Sequence, residues 1–192
     1  YNFIKILLIY FSSTIFVIFL YSLTDLRLLD SVNLAFTSIS SGGFIPEGNL
    51  SNILINNLQI FVFSTTLLFP ILNFFLLHDI ITGKFLIKNH HEDLHLSLLI
   101  ILLTLFFYFF VIPEVGFVTV FFAITSSIST SGVTTYTSNL DLSLFFILLT
   151  IVGGSLISTS SGFKYTRIYI LFKISYQEIY HLVKPINIID KN

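Results

Sequence analysis

Ser38-Ile39-Ser40-Ser41-Gly42-Gly43-Phe44 and, 89 residues downstream, Ser127-Ile128-Ser129-Thr130-Ser131-Gly132-Val133 decide how this 192-residue chain folds. With Gly43 set against Gly132, Ser38 meets Ser127, Ile39 meets Ile128, Ser40 meets Ser129 and Ser41 meets Thr130. Each segment follows a short apolar run and stands between longer ones. Small side chains and a terminal glycine let successive backbone carbonyls turn one way and replace the water shell of an ion. A polar loop outside the membrane explains one such hairpin. Two in register, with matching flanks, read as a repeated unit of a cation channel or transporter.

The composition supports that reading. The chain is 55% hydrophobic and 10% charged, with 23 Phe and a mean hydropathy of +0.94, whereas a soluble domain carries about a quarter charged residues. Uncharged stretches cover residues 6–24, 48–77, 94–113 and 142–163, each reaching the roughly 18–20 residues a membrane-spanning helix requires. The expected class is therefore an all-α polytopic membrane protein in a lipid bilayer. The first residue is Tyr and Met is absent, so the chain reads as a fragment or cropped region. The first span is too long for a secretory signal and lacks a small-residue cleavage site. With no Cys, disulfide and thiol chemistry are excluded. A net charge of −1 gives no sign of a nucleic-acid partner, and the aromatics lack the basic stripe that single strands need, so they read as lipid-facing.

Charge placement orients the chain. If the first span runs outward from the cytoplasm, the outer segments hold Asp25, Arg27, Asp30, Glu47, Glu114 and Asp141, and the inner ones Lys5, Lys84, Lys88, Lys164, Arg167, Lys173, Lys184 and Lys191. Eight of nine basic residues then lie inside, as the positive-inside tendency requires. Both hairpins open on the acidic outer side, where carboxylates raise the local cation concentration. The expected location is a bacterial inner membrane, crossed several times.

The order of elements repeats. Span one (4–23) precedes a short run (28–38), the hairpin 39–44 and span two (about 58–77). Span three (94–112) precedes a short run (115–127), the hairpin 128–133 and a last span starting near Leu142. The short runs make helices of roughly 17–20 Å, too short for a hydrocarbon core of about 30 Å. They are therefore expected to be re-entrant, which is tolerated only when buried in protein or lining water. Residues 1–86 form one pore-loop repeat, 87–178 another, and 179–192 a cytoplasmic tail. A third similar segment, Ser158 to Gly162, follows Gly132 too closely to be a third filter. Instead Gly153-Gly154-Ser155 through Gly162 interrupts the final span, leaving 142–152 as its outer half and 163–175 as its inner half. Broken helices at mid-membrane are where transporters place gates. Lys164 and Arg167 beneath are either a cationic barrier to permeant ions or snorkelling anchors. Pro70 and Asn73 are expected to kink span two and to bond across helices. His78-Asp79 reads as a helix C-terminal cation beside a solvated acid.

These residues resemble the Trk/Ktr superfamily of bacterial potassium uptake proteins over nearly the whole chain. The family's second pore loop resembles Ala35-Phe36-Thr37-Ser38-Ile39-Ser40-Ser41-Gly42-Gly43-Phe44, and its third resembles Ile128-Ser129-Thr130-Ser131-Gly132-Val133. Its intramembrane gate loop, Gly-Gly-x-x-Gly-Ser-Thr-x-Gly-Gly-Ile-Lys-x-x-Arg, resembles Gly153-Gly154-Ser155-Leu156-Ile157-Ser158-Thr159-Ser160-Ser161-Gly162-Phe163-Lys164-Tyr165-Thr166-Arg167. Asn73 within Pro70-Ile71-Leu72-Asn73-Phe74, and Leu182-Val183-Lys184-Pro185, are also similar. The resemblance implies a pseudo-fourfold pore of four helix–loop–helix repeats. Carbonyls of Ile39, Ser40, Ser41, Gly42 and Gly43 and of Ser129, Thr130, Ser131 and Gly132 would select K⁺ as the transported ion, with no organic cofactor. The hydroxyls of Ser40 and Ser129 would also face the ion. Gly153, Gly154, Ser158, Thr159 and Gly162 would gate, above Lys164 and Arg167. It further implies a homodimer, or complementing chains carrying the missing first and fourth repeats, and a cytosolic nucleotide-binding regulatory subunit. Ile157 and Ser161 depart from the pattern, standing where the family's loop has Gly, and stiffen it.

A competing constellation is His91-Glu92-Asp93-Leu94-His95, the His-Glu-x-x-His pattern of zinc proteases, in which His91 and His95 would hold zinc and Glu92 activate its water. It falls at the charged junction between spans two and three. Asp141 lies on the outer side and Asp190 in the tail, so neither is a convincing third ligand. His90 and Lys88 beside it read as a solvated interfacial turn. A non-functional transporter remnant is the remaining alternative.

Overall fold

The structure, a computed structural model, describes residues 2–46, 48–83, 90–135 and 142–183. Backbone polar groups in lipid must be satisfied within the segment, so long apolar stretches become helices. Helix α1, Asn2–Ser22, and helix α5, His91–Phe106, continued by a π-helical turn at Phe107–Val111, are long and apolar enough to cross a membrane. Phe3, Leu7, Leu8, Phe11, Ile15 and Phe19 of α1 are exposed, as are Ile101, Leu102, Leu105, Phe106, Phe109 and Phe110 after them. A soluble helix would bury such a face; here it is the surface lipid would cover.

After α1 the chain turns into α2, Leu28–Ser40, and after the π turn into α6, Phe117–Ile128. At 13 and 12 residues these are the half-length helices expected of re-entrant segments, roughly 18–20 Å long. Both bury their C-terminal halves, including Leu34, Ala35 and Ile39 on α2 and Phe122, Ile124 and Ile128 on α6.

Span two differs from expectation. It is not a kinked helix over 58–77 but two helices, α3 at Asn57–Thr66 and α4 at Phe74–Ile81, separated by a non-helical stretch at 67–73. Proline at position 70 has no N–H and its ring displaces the preceding turn. Asn73 then restarts the helix as its N-cap, its Oδ1 accepting from Phe75 N at 2.9 Å. Gln59 pins the start of α3, accepting from Ile55 N and Asn56 N and donating to the Thr24 carbonyl at 2.9 Å.

The last span is broken as read, into α7, Ser143–Val152, and α8, Tyr165–Val183. α8 starts two residues later than anticipated and runs on past residue 175. Lys84, Lys88, Glu47, Asp141, Lys184, Asp190 and Lys191, used above for orientation or as candidate ligands, lie outside the described residues.

The two repeats interlock. One core gathers Val17 and Tyr21 of α1, Leu34 of α2 and Phe63 of α3, and takes in Phe122 and Val133 from the second repeat. The other gathers Leu96, Ile100, Ile124, Ile128 and Leu149, and takes in Ile71 from the first. Phe63 is the hinge of this exchange, fully buried with its ring 6.1 Å from Tyr21 and 5.6 Å from Phe122.

Candidate functional site

The two hairpins share a backbone geometry that mirrors their sequence register. Ser41 and Thr130, matched in the alignment, both have left-handed backbones at φ 56° and 64°; Gly43 and Gly132 follow at 70° and 65°. Each loop is braced from its own helix at the same offset. Thr37 Oγ1 donates to the Phe44 carbonyl, and Ser126 Oγ, 89 residues on, donates to the Val133 carbonyl. The left-handed residue after each helix turns the chain out of it, and Gly42 N and Gly132 N bond back to Thr37 O and Ser126 O at 3.1 and 3.4 Å.

The loops also touch. A β-carbon placed on Gly43 would fall 2.3 Å from the carbonyl oxygen of Ser131. Only a residue without a side chain allows that approach, at a φ that also favours glycine. The structure thus brings the Ser41–Gly43 and Ser129–Gly132 segments together side by side. Ile39 and Ser40 differ from their expected place: they occupy the last turn of α2 rather than extended chain. The two hydroxyls donate locally. Ser40 Oγ donates back to the Phe36 carbonyl at 2.6 Å, and Ser129 Oγ lies 3.0 Å from both Ser126 O and Ser131 Oγ, its single proton going to one of them. Serines near helix ends commonly do so, and each keeps lone pairs that can accept.

Residues 153–164 form a loop that lies directly against these two segments. Thr159 Oγ1 donates to the Ile39 carbonyl at 2.7 Å, and Ser161 N donates to Thr130 Oγ1 at 3.0 Å. The loop closes on itself where Phe163 N meets Ile151 O and Tyr165 N meets Gly154 O, at 2.9 and 3.0 Å. It also fills the break in span two. Ser155 N donates to Ile71 O at 2.8 Å, Ser160 N to Pro70 O at 3.0 Å, and Phe74 N to Ile157 O at 3.0 Å. Gly154 permits this, since a β-carbon there would lie 2.6 Å from Ile71 O.

Lys164 and Arg167 part company. Lys164 Nζ donates to Ser158 O at 3.2 Å, to Ser158 Oγ at 3.1 Å and to the Ser160 carbonyl. Arg167, on the first turn of α8, is exposed.

The His-Glu-x-x-His segment lies on the first turn of α5, with His91 and His95 exposed. Glu92 Oε1 accepts from Leu156 N at 2.9 Å and from the Thr166 hydroxyl, so its carboxylate ties down the loop between α7 and α8. Asp93, buried, accepts from Asn73 N at 2.8 Å. No group of three candidate metal ligands exists among the described residues. His90, expected in a solvated turn, is buried instead, 3.1 Å from Asp79 Oδ2 and 3.6 Å from Asp93 Oδ2, with His78 on Asp79 Oδ1 at 3.2 Å. Glu92 and Asp93 escaped the sequence reading because their spacing fitted a metal motif. The signal available was simpler: two acids in a helix's first turn, where free N–H groups favour carboxylates.

No family model matches the chain. Over 184 residues, 94% of its length, it is 28% identical to an uncharacterized cation transporter of Methanocaldococcus jannaschii. The crystal structure of the potassium transporter TrkH from Vibrio parahaemolyticus matches 96% of the chain with a TM-score of 0.81 and 23% identity. The chain spans 38% of the first protein's length and 42% of the second's. The fold is that of an all-α polytopic membrane protein, as the repeat order required.

Proposed function

We propose that this chain supplies two adjacent walls of a potassium-conducting pore and the loop that gates it. The observation carrying this reading is the pair of dihedral-matched, glycine-ended loops in contact at Gly43 and Ser131. Ile39 to Gly43 and Ser129 to Gly132 line one side of the ion path with backbone oxygens, and selection of K⁺ over Na⁺ follows from their number and field strength. Gly153, Gly154, Ser158, Thr159 and Gly162 belong to the gate, which in the docked state engages the Ile39 carbonyl and the Thr130 hydroxyl. No bond is made or broken.

The relatives' lengths and the two-wall geometry support a pore completed by further segments, whether of the same polypeptide, of a second copy or of separate chains. A cytosolic nucleotide-binding regulator and an inner-membrane location belong to the same reading, on the strength of the motif resemblance. The engagement of Glu92 with Leu156 and Thr166 speaks against the protease alternative. The test is ⁸⁶Rb⁺ uptake into cells lacking their own potassium uptake, with co-expressed partners where a second copy does not suffice. Gly132→Asp abolishes uptake if the filter assignment holds, and unaltered uptake overturns it. No rescue under any pairing would mark a remnant.

A further inference from the structure

The loop at 153–164 holds an ammonium group close to both proposed filter segments. Lys164 carries three N–H donors, and they meet three neutral oxygens: Ser158 O, Ser158 Oγ and Ser160 O. Those oxygens belong to the short run whose neighbours, Thr159 and Ser161, bond the two filter segments at Ile39 and Thr130. The cradle therefore sits directly beside the inner end of the proposed ion path. It is itself fixed: Ser158 Oγ donates to Ser155 O at 2.7 Å, and Ser160, buried, accepts from Gly154 N at 2.9 Å through its hydroxyl.

We infer that this cradle is a site for a monovalent cation, which Lys164 occupies from within as a tethered competitor. The inference rests on the pore reading above. An ammonium and a large alkali cation ask for the same thing, several hard, neutral oxygens at a similar distance. Carbonyl and hydroxyl oxygens suit such ions, while the absence of a carboxylate from the three oxygens disfavours divalent ones. Lys164 adopts φ 71°, a backbone that non-glycine residues rarely take. The three bonds to its own loop hold it there. While the ammonium is seated, its charge repels an ion leaving the filter, and the loop stays docked. When it leaves, the oxygens are free to pass that ion onward.

The experiment compares the full chain with Lys164→Met, which removes the charge and keeps the stem, and with Lys164→Gly, which also suits the left-handed backbone. Crystals of each are soaked in thallium(I) acetate, and anomalous scattering locates the ion; calorimetry measures affinity. The expected result is a thallium peak among the Ser158 and Ser160 oxygens in either variant and none there in the unaltered chain, with affinity at that site raised at least tenfold. A variant in which Thr159 and Ser161 keep their partners but the cradle stays empty overturns the proposal, whatever the filter segments bind. A peak in the cradle with none at the filter segments supports it and counts against the filter assignment instead.

Discussion

Gly43→Ala and Gly132→Ala are equivalent by the repeat and unequal by the structure, and that inequality tests the arrangement of the two walls. Both glycines have positive φ, 70° and 65°, so alanine at either carries a backbone penalty of roughly 1–2 kcal/mol. Around Gly132 a new β-carbon meets no heavy atom within 4 Å, and the backbone penalty is the whole effect. At Gly43 it lies 2.3 Å from Ser131 O, and since real contacts stay above 3.0 Å the two segments must part by at least about 0.7 Å. Forced overpacking of this kind adds about 1–3 kcal/mol. For a chain of this size each kcal/mol moves the thermal midpoint by roughly 2–4 °C. Gly132→Ala should lower it by about 2–8 °C and Gly43→Ala by about twice as much. If half the added strain falls on conduction, ⁸⁶Rb⁺ uptake by Gly43→Ala drops about 2- to 12-fold further than by Gly132→Ala. Discrimination against Na⁺ should weaken in parallel, because oxygen spacing sets the field an ion meets. Circular dichroism melts and competitive uptake read both effects. Equal losses in the two variants would refute the side-by-side placement.

Three further outcomes are expected. Glu92→Ala removes a charged acceptor shared by Leu156 N and Thr166; such a bond contributes about 1.5–3 kcal/mol. Exchange of the Leu156 amide should accelerate at least about tenfold and basal Rb⁺ flux rise, with Glu92→Gln between the two; unchanged exchange would sink the role. Because the chain has no cysteine, the pair Thr130→Cys and Ser161→Cys reports unambiguously on docking: oxidation should cross-link them and arrest uptake, and reduction should restore it. Phe63→Ala, at the fully buried junction of the repeats, should destabilise the chain by about 3–5 kcal/mol, read as loss of the cooperative melt.

How far the sequence could be read depended on whether a signal was periodic or relational. The apolar runs, the half-length helices and the glycine-ended hairpins were legible because each follows from local chemistry: hydropathy length, chain rise, and the conformations glycine permits. The break at Gly153 was legible too, since two glycines end a helix by themselves. The break in span two was not, although Pro70 and Asn73 stood in plain view. A proline in a membrane helix normally kinks it and leaves the rest helical. What melts residues 67–73 is a partner, the loop at 153–164, that contributes the three bonds to Pro70, Ile71 and Phe74. The role of Glu92 was hidden for the same reason: its partners are 64 and 74 residues away.

That mutual dependence has a physical logic. A stretch of unwound backbone at membrane depth exposes carbonyls and amides that lipid cannot satisfy. Two such stretches can satisfy one another. Ile71 O and Pro70 O, left without helical partners, take the amides of Ser155 and Ser160, and the Ile157 carbonyl takes the amide of Phe74. Asp93 and Glu92, adjacent in the first turn of α5, then cap one residue from each stretch, Asn73 and Leu156. A loop held this way cannot lift off as a free flap. Undocking residues 153–164 strips acceptors and donors from span two at the same moment, so the two breaks must rearrange together or admit water. The opening transition should accordingly be cooperative across both spans, with the amides of Phe74 and Ser155 exchanging at a common rate in the unaltered chain. Independent rates at those two positions would mean that the breaks are separate structures that happen to touch.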